Sequence, residues 1–113
     1  AVLDVFDEEN LLARARTLGD MLTSRLRPLA ESDQRIAEVR GLGAMVAFEL
    51  LTADGHPDPE LASRLVISAR EKGLLLLSCG QYANVIRILV PLTATDVEVA
   101  QGMDIIAACL AEY

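Results

Sequence analysis

The run SCGQYANVIRILVPLT, Ser78 to Thr93, reads as a loop followed by a strand. Successive strand residues point to opposite sides, so Val85, Arg87 and Leu89 share one face and Ile86, Ile88 and Val90 share the other. The second face is wholly apolar and belongs against a core. The first is interrupted by a guanidinium, which is expensive to bury without a partner. Pro91 should end the strand, because proline brings no N–H to a ladder.

Working outward, Leu74 to Ser78 is a short continuous apolar run, expected as a buried strand and joined to the first by the loop Cys79 to Asn84. Ahead of it, Leu61, Leu65, Val66 and Ala69 share a helical face. Asp58 is placed to cap that helix, Pro59 suits its first position, and Gly73 supplies the stop. The turn-rich segment TADGHPDPE, Thr52 to Glu60, leads into it. Further upstream, Ile36 to Arg40 and Ala44 to Leu51 read as two strands around Gly41-Leu42-Gly43.

The opening helix is expected from Glu8 to about Leu29, with Leu11, Leu12, Ala15, Leu18, Leu22 and Leu26 on one face. Pro28 should kink or stop it, and the polar residues Glu31 to Arg35 should form a loop. At the other end, Thr95 and Glu98 spell a capping box before a helix carrying Val99, Met103, Ile106 and Leu110 on one side. Helix, two strands, helix, two strands, helix predicts an α/β (α+β) fold: a small mixed, largely antiparallel sheet with helices packed on one face.

At 113 residues, 52% hydrophobic and 24% charged, the chain suits one compact domain, residues 1–113. A net charge of −7 without a cluster of Lys and Arg argues against nucleic acid and anionic membranes as partners. Leu74 to Leu77 is far too short to span a bilayer, and a soluble, cytoplasmic protein is expected. Cys79 and Cys109 are expected as free thiols, and His56, the only histidine, offers no metal cluster. The opening AVLDVFDEENLL enters directly on a helix-like phrase, as though cut from a longer protein.

Few residues carry chemistry. Arg40 to Gly43, RGLG, could cradle a phosphate but suits a hairpin turn better, since it lacks a following helix start. Lys72, the only lysine, precedes Gly73 in the last turn of a helix, where a solvated cation complements the dipole. Cys79 has no histidine nearby in sequence, and Asp7, Glu8 and Glu9 suit a helix N-terminus better than acid–base work. Arg87 has two readings: an edge arginine snorkelling to water, or a planar fork that binds a carboxylate bidentately. Local physics leaves both open.

VRGLGAMVAFEL, REKGLLLLSCGQYANVIRILVPLT and TDVEVAQGMDII resemble the carboxy-terminal part of the class III aminotransferases, enzymes that use pyridoxal phosphate. The resemblance covers essentially the whole chain and is strongest to members acting on 4-aminobutyrate. It implies the small C-terminal domain of a fold type I enzyme whose large domain, outside these residues, holds pyridoxal phosphate, the Schiff-base lysine and most phosphate contacts. Lys72 matches no catalytic lysine of the family, so no catalytic or cofactor-binding residue is expected in this stretch, which alone should be inactive. Arg87 matches the family arginine that receives the substrate α-carboxylate, and Gly80 and its neighbours would shape the approach.

The implied reaction passes the amino group of 4-aminobutyrate, which leaves as succinate semialdehyde, to 2-oxoglutarate, which leaves as glutamate. A glutamate of the large domain would neutralise Arg87 when the substrate lacks an α-carboxylate. The parent is expected to be a homodimer, a homo-oligomer of the simplest kind. An ornithine- or diaminobutyrate-type relative, a stand-alone small-anion sensor and a dimerisation module are the alternatives.

Overall fold

A computed structural model describes residues 2–90 and 94–113. Its elements run α1 (Val2–Ser32), β1 (Ile36–Leu42), β2 (Met45–Leu50), α2 (Pro59–Glu71), β3 (Leu77–Cys79), β4 (Val85–Leu89) and α3 (Asp96–Ala111). The expected order of elements is therefore the observed one. Pro91, expected to end β4, lies outside the described residues.

The caps form as the local chemistry dictates. Asp58 accepts a hydrogen bond from the Leu61 amide at 3.0 Å, with Pro59 opening α2. Thr95 and Glu98 complete a reciprocal capping box on α3. Gly73 takes a left-handed φ of +91°, and its amide reaches the Arg70 carbonyl at 3.0 Å to close the end of α2.

The strands lie in the order β1-β2-β4-β3, and each neighbouring pair is antiparallel. The crossover through α2 makes β2 and β3 run parallel, but β4 separates them, so no parallel ladder forms. All three helices lie on one side. Val46, Phe48 and Leu50 of β2 and Ile86 and Ile88 of β4 point into the core. There they meet Leu18, Leu22 and Leu26 of α1, Leu61, Leu65 and Ala69 of α2, and Val99, Met103, Ile106 and Leu110 of α3.

Four expectations change in detail. Helix α1 does not stop at Pro28 but continues to Ser32. Proline removes one intrahelical donor, yet Leu26 is fully buried, Leu29 and Ala30 pack against the core, and the Asp33 amide bonds the Leu29 carbonyl at 2.8 Å. Tertiary burial outweighs the lost bond. The loop after it shrinks to residues 33–35, and the β1–β2 turn moves to Gly43-Ala44 because β1 extends through Leu42. Leu74 to Ser78 is not a buried strand. Only residues 77–79 pair, at the sheet edge, and alternation leaves Leu75 75% and Leu77 51% exposed while Leu76 is buried.

Helix α1 is seated by backbone proximity. A Cβ on Gly19 would overlap the Gly43 carbonyl oxygen, and Gly43 itself has φ +59°. Arg14 donates to the Ala94 carbonyl at 2.7 Å and pairs with Asp96 at 2.9 Å, while Arg25 reaches Asp104 at 3.3 Å, bracing α1 against α3. Between α1 and β1, Arg35 pairs with Asp33 at 2.7 Å and donates to the Leu110 carbonyl at 2.9 Å.

Gly19→Ala should force α1 off the hairpin turn and cost about 1–3 kcal/mol of stability. A fall in melting temperature of the full-length protein checks this, and an unchanged melt would mean that α1 is seated otherwise. The side-chain hydrogen bond from Arg35 holds the Asp33 carboxyl below its ordinary value of 3.8. The stability this contributes is present above that ordinary value and is lost as pH falls through the lower, folded-state value. Thermal melts of Asp33→Asn should therefore show a deficit at neutral pH that closes in acid, whereas a deficit independent of pH would count against the ion pair as its source.

Candidate functional site

Arg87 sits on the inner strand β4, on the sheet face that no helix covers. Its backbone partners are Ala47 on β2 and Leu77 on β3. Ala47 in turn pairs with Arg40 on β1. Arg40, Ala47, Arg87 and Leu77 thus form one row across all four strands, on the same face. Because Arg87 is exposed while Ile86 and Ile88 are buried, these two apolar neighbours lie behind the strand, and the charge of Arg87 is not buried among them.

The row opens into a cleft of about 360 Å³ lined by Arg40, Gly41, Met45, Ala47, Cys79, Gly80, Val85 and Arg87. Two guanidinium groups border it, and none of its lining residues is acidic. Arg40 is partly occupied: it donates to the Glu38 carbonyl at 3.2 Å and lies 4.0 Å from Glu49. Among the described residues the ion pairs use Arg14, Arg25, Arg35, Arg40, Arg64 and Lys72, and Arg87 is in none of them.

One end of the cleft is built by the β3–β4 loop. Gly80 has φ +89°, and a Cβ there would lie 2.8 Å from Val85 Cγ2. Only glycine lets the loop fold down onto Val85, which is 8% exposed despite facing outward. Asn84 anchors the loop: its side chain donates to the Leu50 carbonyl at 3.1 Å and its own carbonyl accepts from the Leu50 amide at 2.8 Å. Local reading missed Asn84, Ala47 and Arg40 as parts of the site. A buried asparagine beside an apolar strand was the available signal for the first, whereas the other two needed the strand register.

The remaining candidates lie elsewhere or do other work. Lys72 caps α2, with Nζ 2.7 Å from Glu112 and 3.7 Å from Cys109 Sγ. The hydrogen bond to Glu112 raises its pKa and keeps it a protonated ammonium. Lys72 borders a different cavity, on the helix side of the sheet with Leu22, Ile88 and Met103. Cys79 is a free thiol at the cleft and Cys109 a free thiol in the core. RGLG forms the end of β1 and its turn, contributing Arg40 and Gly41 to the cleft wall. The backbone amide of His56 bonds Thr52 Oγ1, within the loop before α2. Among the described residues no three His, Cys, Asp or Glu side chains converge as a metal site. The side chains of Asp7, Glu8 and Glu9 are not among those described.

The family model "Aminotransferase class-III" matches residues 1–110. The chain belongs to the class III aminotransferase family. It is 51% identical to 4-aminobutyrate aminotransferase GabT of Escherichia coli K12, an alignment covering 98% of this chain and 26% of that protein. It is 50% identical to 5-aminovalerate aminotransferase DavT of Pseudomonas aeruginosa, covering 99% of this chain and 27% of the relative. The fold superposes with a TM-score of 0.90 at 27% identity on a phospholyase from Arthrobacter solved in complex with phosphoethanolamine, over 99% of this chain and 27% of that one. The chain spans about a quarter of the length of the relatives it matches.

The described residues of the cleft do not fit the family's pyridoxal phosphate. The cofactor requires a lysine amine, and the only lysine is held by Glu112 on the other side of the sheet from the cleft. The cleft presents anion-binding guanidinium groups without an amine.

Gly80→Ala imposes both a left-handed φ and a clash with Val85, and should cost about 1–3 kcal/mol. Hydrogen exchange should then show faster exchange at the Ala83 amide, which bonds the Gly80 carbonyl at 3.2 Å. Unchanged protection there would show that the loop tolerates a side chain at position 80.

Proposed function

We propose that residues 1–113 are the small C-terminal domain of a 4-aminobutyrate:2-oxoglutarate aminotransferase, in which Arg87 receives the α-carboxylate of glutamate or 2-oxoglutarate and Gly80 shapes the approach. The observation that carries this reading is an exposed arginine without an ion-pair partner among the described residues, bordering a cleft whose lining has no acid. Arginine's planar fork matches a carboxylate bidentately, which a lysine's point charge does not. Pyridoxal phosphate, held outside these residues, would supply the amino-group chemistry.

The two half-reactions make unequal demands on this cleft. 2-Oxoglutarate carries a carboxylate on the carbon beside its reacting carbonyl, whereas the reacting carbon of 4-aminobutyrate carries none. Arg87 therefore pairs with substrate in one half-reaction and needs another anion in the other. By this reading residues 1–113 alone transfer no amino group. A cytoplasmic homodimer is the setting it assumes, and among the described residues no helix is long and apolar enough to cross a membrane.

A second reading concerns only the amino donor. Likeness to the 5-aminovalerate enzyme almost equals likeness to the 4-aminobutyrate enzyme. The donor one methylene longer leaves the role of Arg87 unchanged, and comparing the two donors in single-turnover reactions separates them.

Arg87→Ala in the full-length enzyme should cost about 2–5 kcal/mol in the half-reaction with 2-oxoglutarate, since a desolvated carboxylate is left unpaired. The half-reaction with 4-aminobutyrate should lose much less. Arg87→Lys should restore charge without the fork and rescue only in part. Single-turnover rates of each half, with melting curves alongside, check this. Equal small losses in both halves would return Arg87 to a structural role.

A further inference from the structure

Strand β2 alternates along its length: Val46, Phe48 and Leu50 are buried, while Met45, Ala47 and Glu49 face the cleft side. Met45 and Glu49 have long side chains, and the residue between them has a single methyl. Ala47 is directly opposite Arg87 on one flank and Arg40 on the other. With strands about 4.8 Å apart, the two arginine Cα atoms stand about 10 Å apart. Only a methyl group rises from the floor between them.

The other flank of Arg87 is different. There the paired residue is Leu77, whose larger side chain stands 51% exposed beside the arginine stem. Beyond it the loop at Gly80 closes down on Val85. The cleft beside Arg87 is floored by Ala47 on the β2 side and ended by Cys79 and Gly80, so a molecule lying in it against the guanidinium passes over Ala47. Opposed Cβ atoms in an antiparallel pair lie about 5 Å apart, so any atom added at position 47 enters that path.

We infer that Ala47 is a specificity-determining residue: its small size leaves the width through which a carboxylate-bearing carbon reaches Arg87. The inference rests on the reading of Arg87 as the carboxylate receptor. It distinguishes substrates by bulk beside the reacting carbon. An oxo acid with an α-carboxylate must fill the space over Ala47, and an ω-amino acid without one leaves it empty. One methylene too many in a fitted pocket discriminates by about 10-fold or more.

The test uses the full-length enzyme with Ala47→Val, because valine is favoured in strands and should leave β2 intact. The readout is the kcat/KM ratio, oxo acid acceptor (2-oxoglutarate) over amino donor (4-aminobutyrate). It should fall about tenfold in Ala47→Val, mainly through a raised KM for the oxo acid. Ala47→Ser should give a smaller fall, and Ala47→Gly should not lower the ratio. An unaltered ratio in a folded Ala47→Val enzyme, or equal losses in both half-reactions, would overturn the inference. Should the valine variant fail to fold, an unaltered ratio in Ala47→Ser or a lowered one in Ala47→Gly would do so. If Arg87→Ala lowers the ratio and Ala47→Val does not, only the role of Ala47 falls. If Arg87→Ala leaves the ratio intact, both readings fall together.

Discussion

Everything in this fold follows from the one-sided covering of its sheet. The apolar sides of β2 and β4 bury Val46, Phe48, Leu50, Ile86 and Ile88 under three helices, and hydrophobic burial of that kind is the dominant favourable term in folding. The helices are used up on that face. The opposite face is left with Met45, Ala47, Glu49, Leu77 and two arginines, a mixture that cannot make a core. Because side chains alternate strictly along a strand, the residues that stabilise the fold also dictate which residues face outward.

Charge is sorted along the same division. On the helices and their connections, four arginines are matched with acids: Arg14 with Asp96, Arg25 with Asp104, Arg64 with Glu60, and Arg35 with Asp33. The first two brace α1 against α3 and the last two are local, though exposed pairs of this type contribute little each. On the open face of the sheet Arg40 lies 4.0 Å from Glu49, whereas Arg87 is in no ion pair among the described residues. Within a chain of net charge −7, its cleft concentrates positive charge, and a concave site of one sign focuses the field on an incoming anion.

Much of this was legible in the sequence. Asp58 with Pro59 and Thr95 with Glu98 announce their helices because capping is a local interaction, and the helical apolar spacing marks the buried side of α2 and α3 correctly. Alternation along β4 separates Arg87 from Ile86 and Ile88 before any coordinates. What failed depended on tertiary context. The four leucines from Leu74 look like a buried strand until the strand order puts β3 at an edge, and Pro28 looks like a stop until Leu26, Leu29 and Ala30 are seen against the core. Arg40 and Ala47 could not be joined to Arg87 from sequence, since about forty residues separate partners that the ladder sets side by side. Family resemblance pointed to Arg87, and local chemistry had left it undecided.

The strand order also has a meaning in time. The pairing of β1 with β2 joins near neighbours in sequence, and such contacts form fast. β3 has no partner among the elements before it, because its only neighbour in the sheet is β4. The latest of these four strands in sequence is thus the one that must slide between two earlier ones, and without β4 these residues hold a hairpin and a loose β3 segment rather than a four-stranded sheet. The strand bearing Arg87 is the keystone of assembly, so the cleft comes into being in the same step that makes the domain cohere.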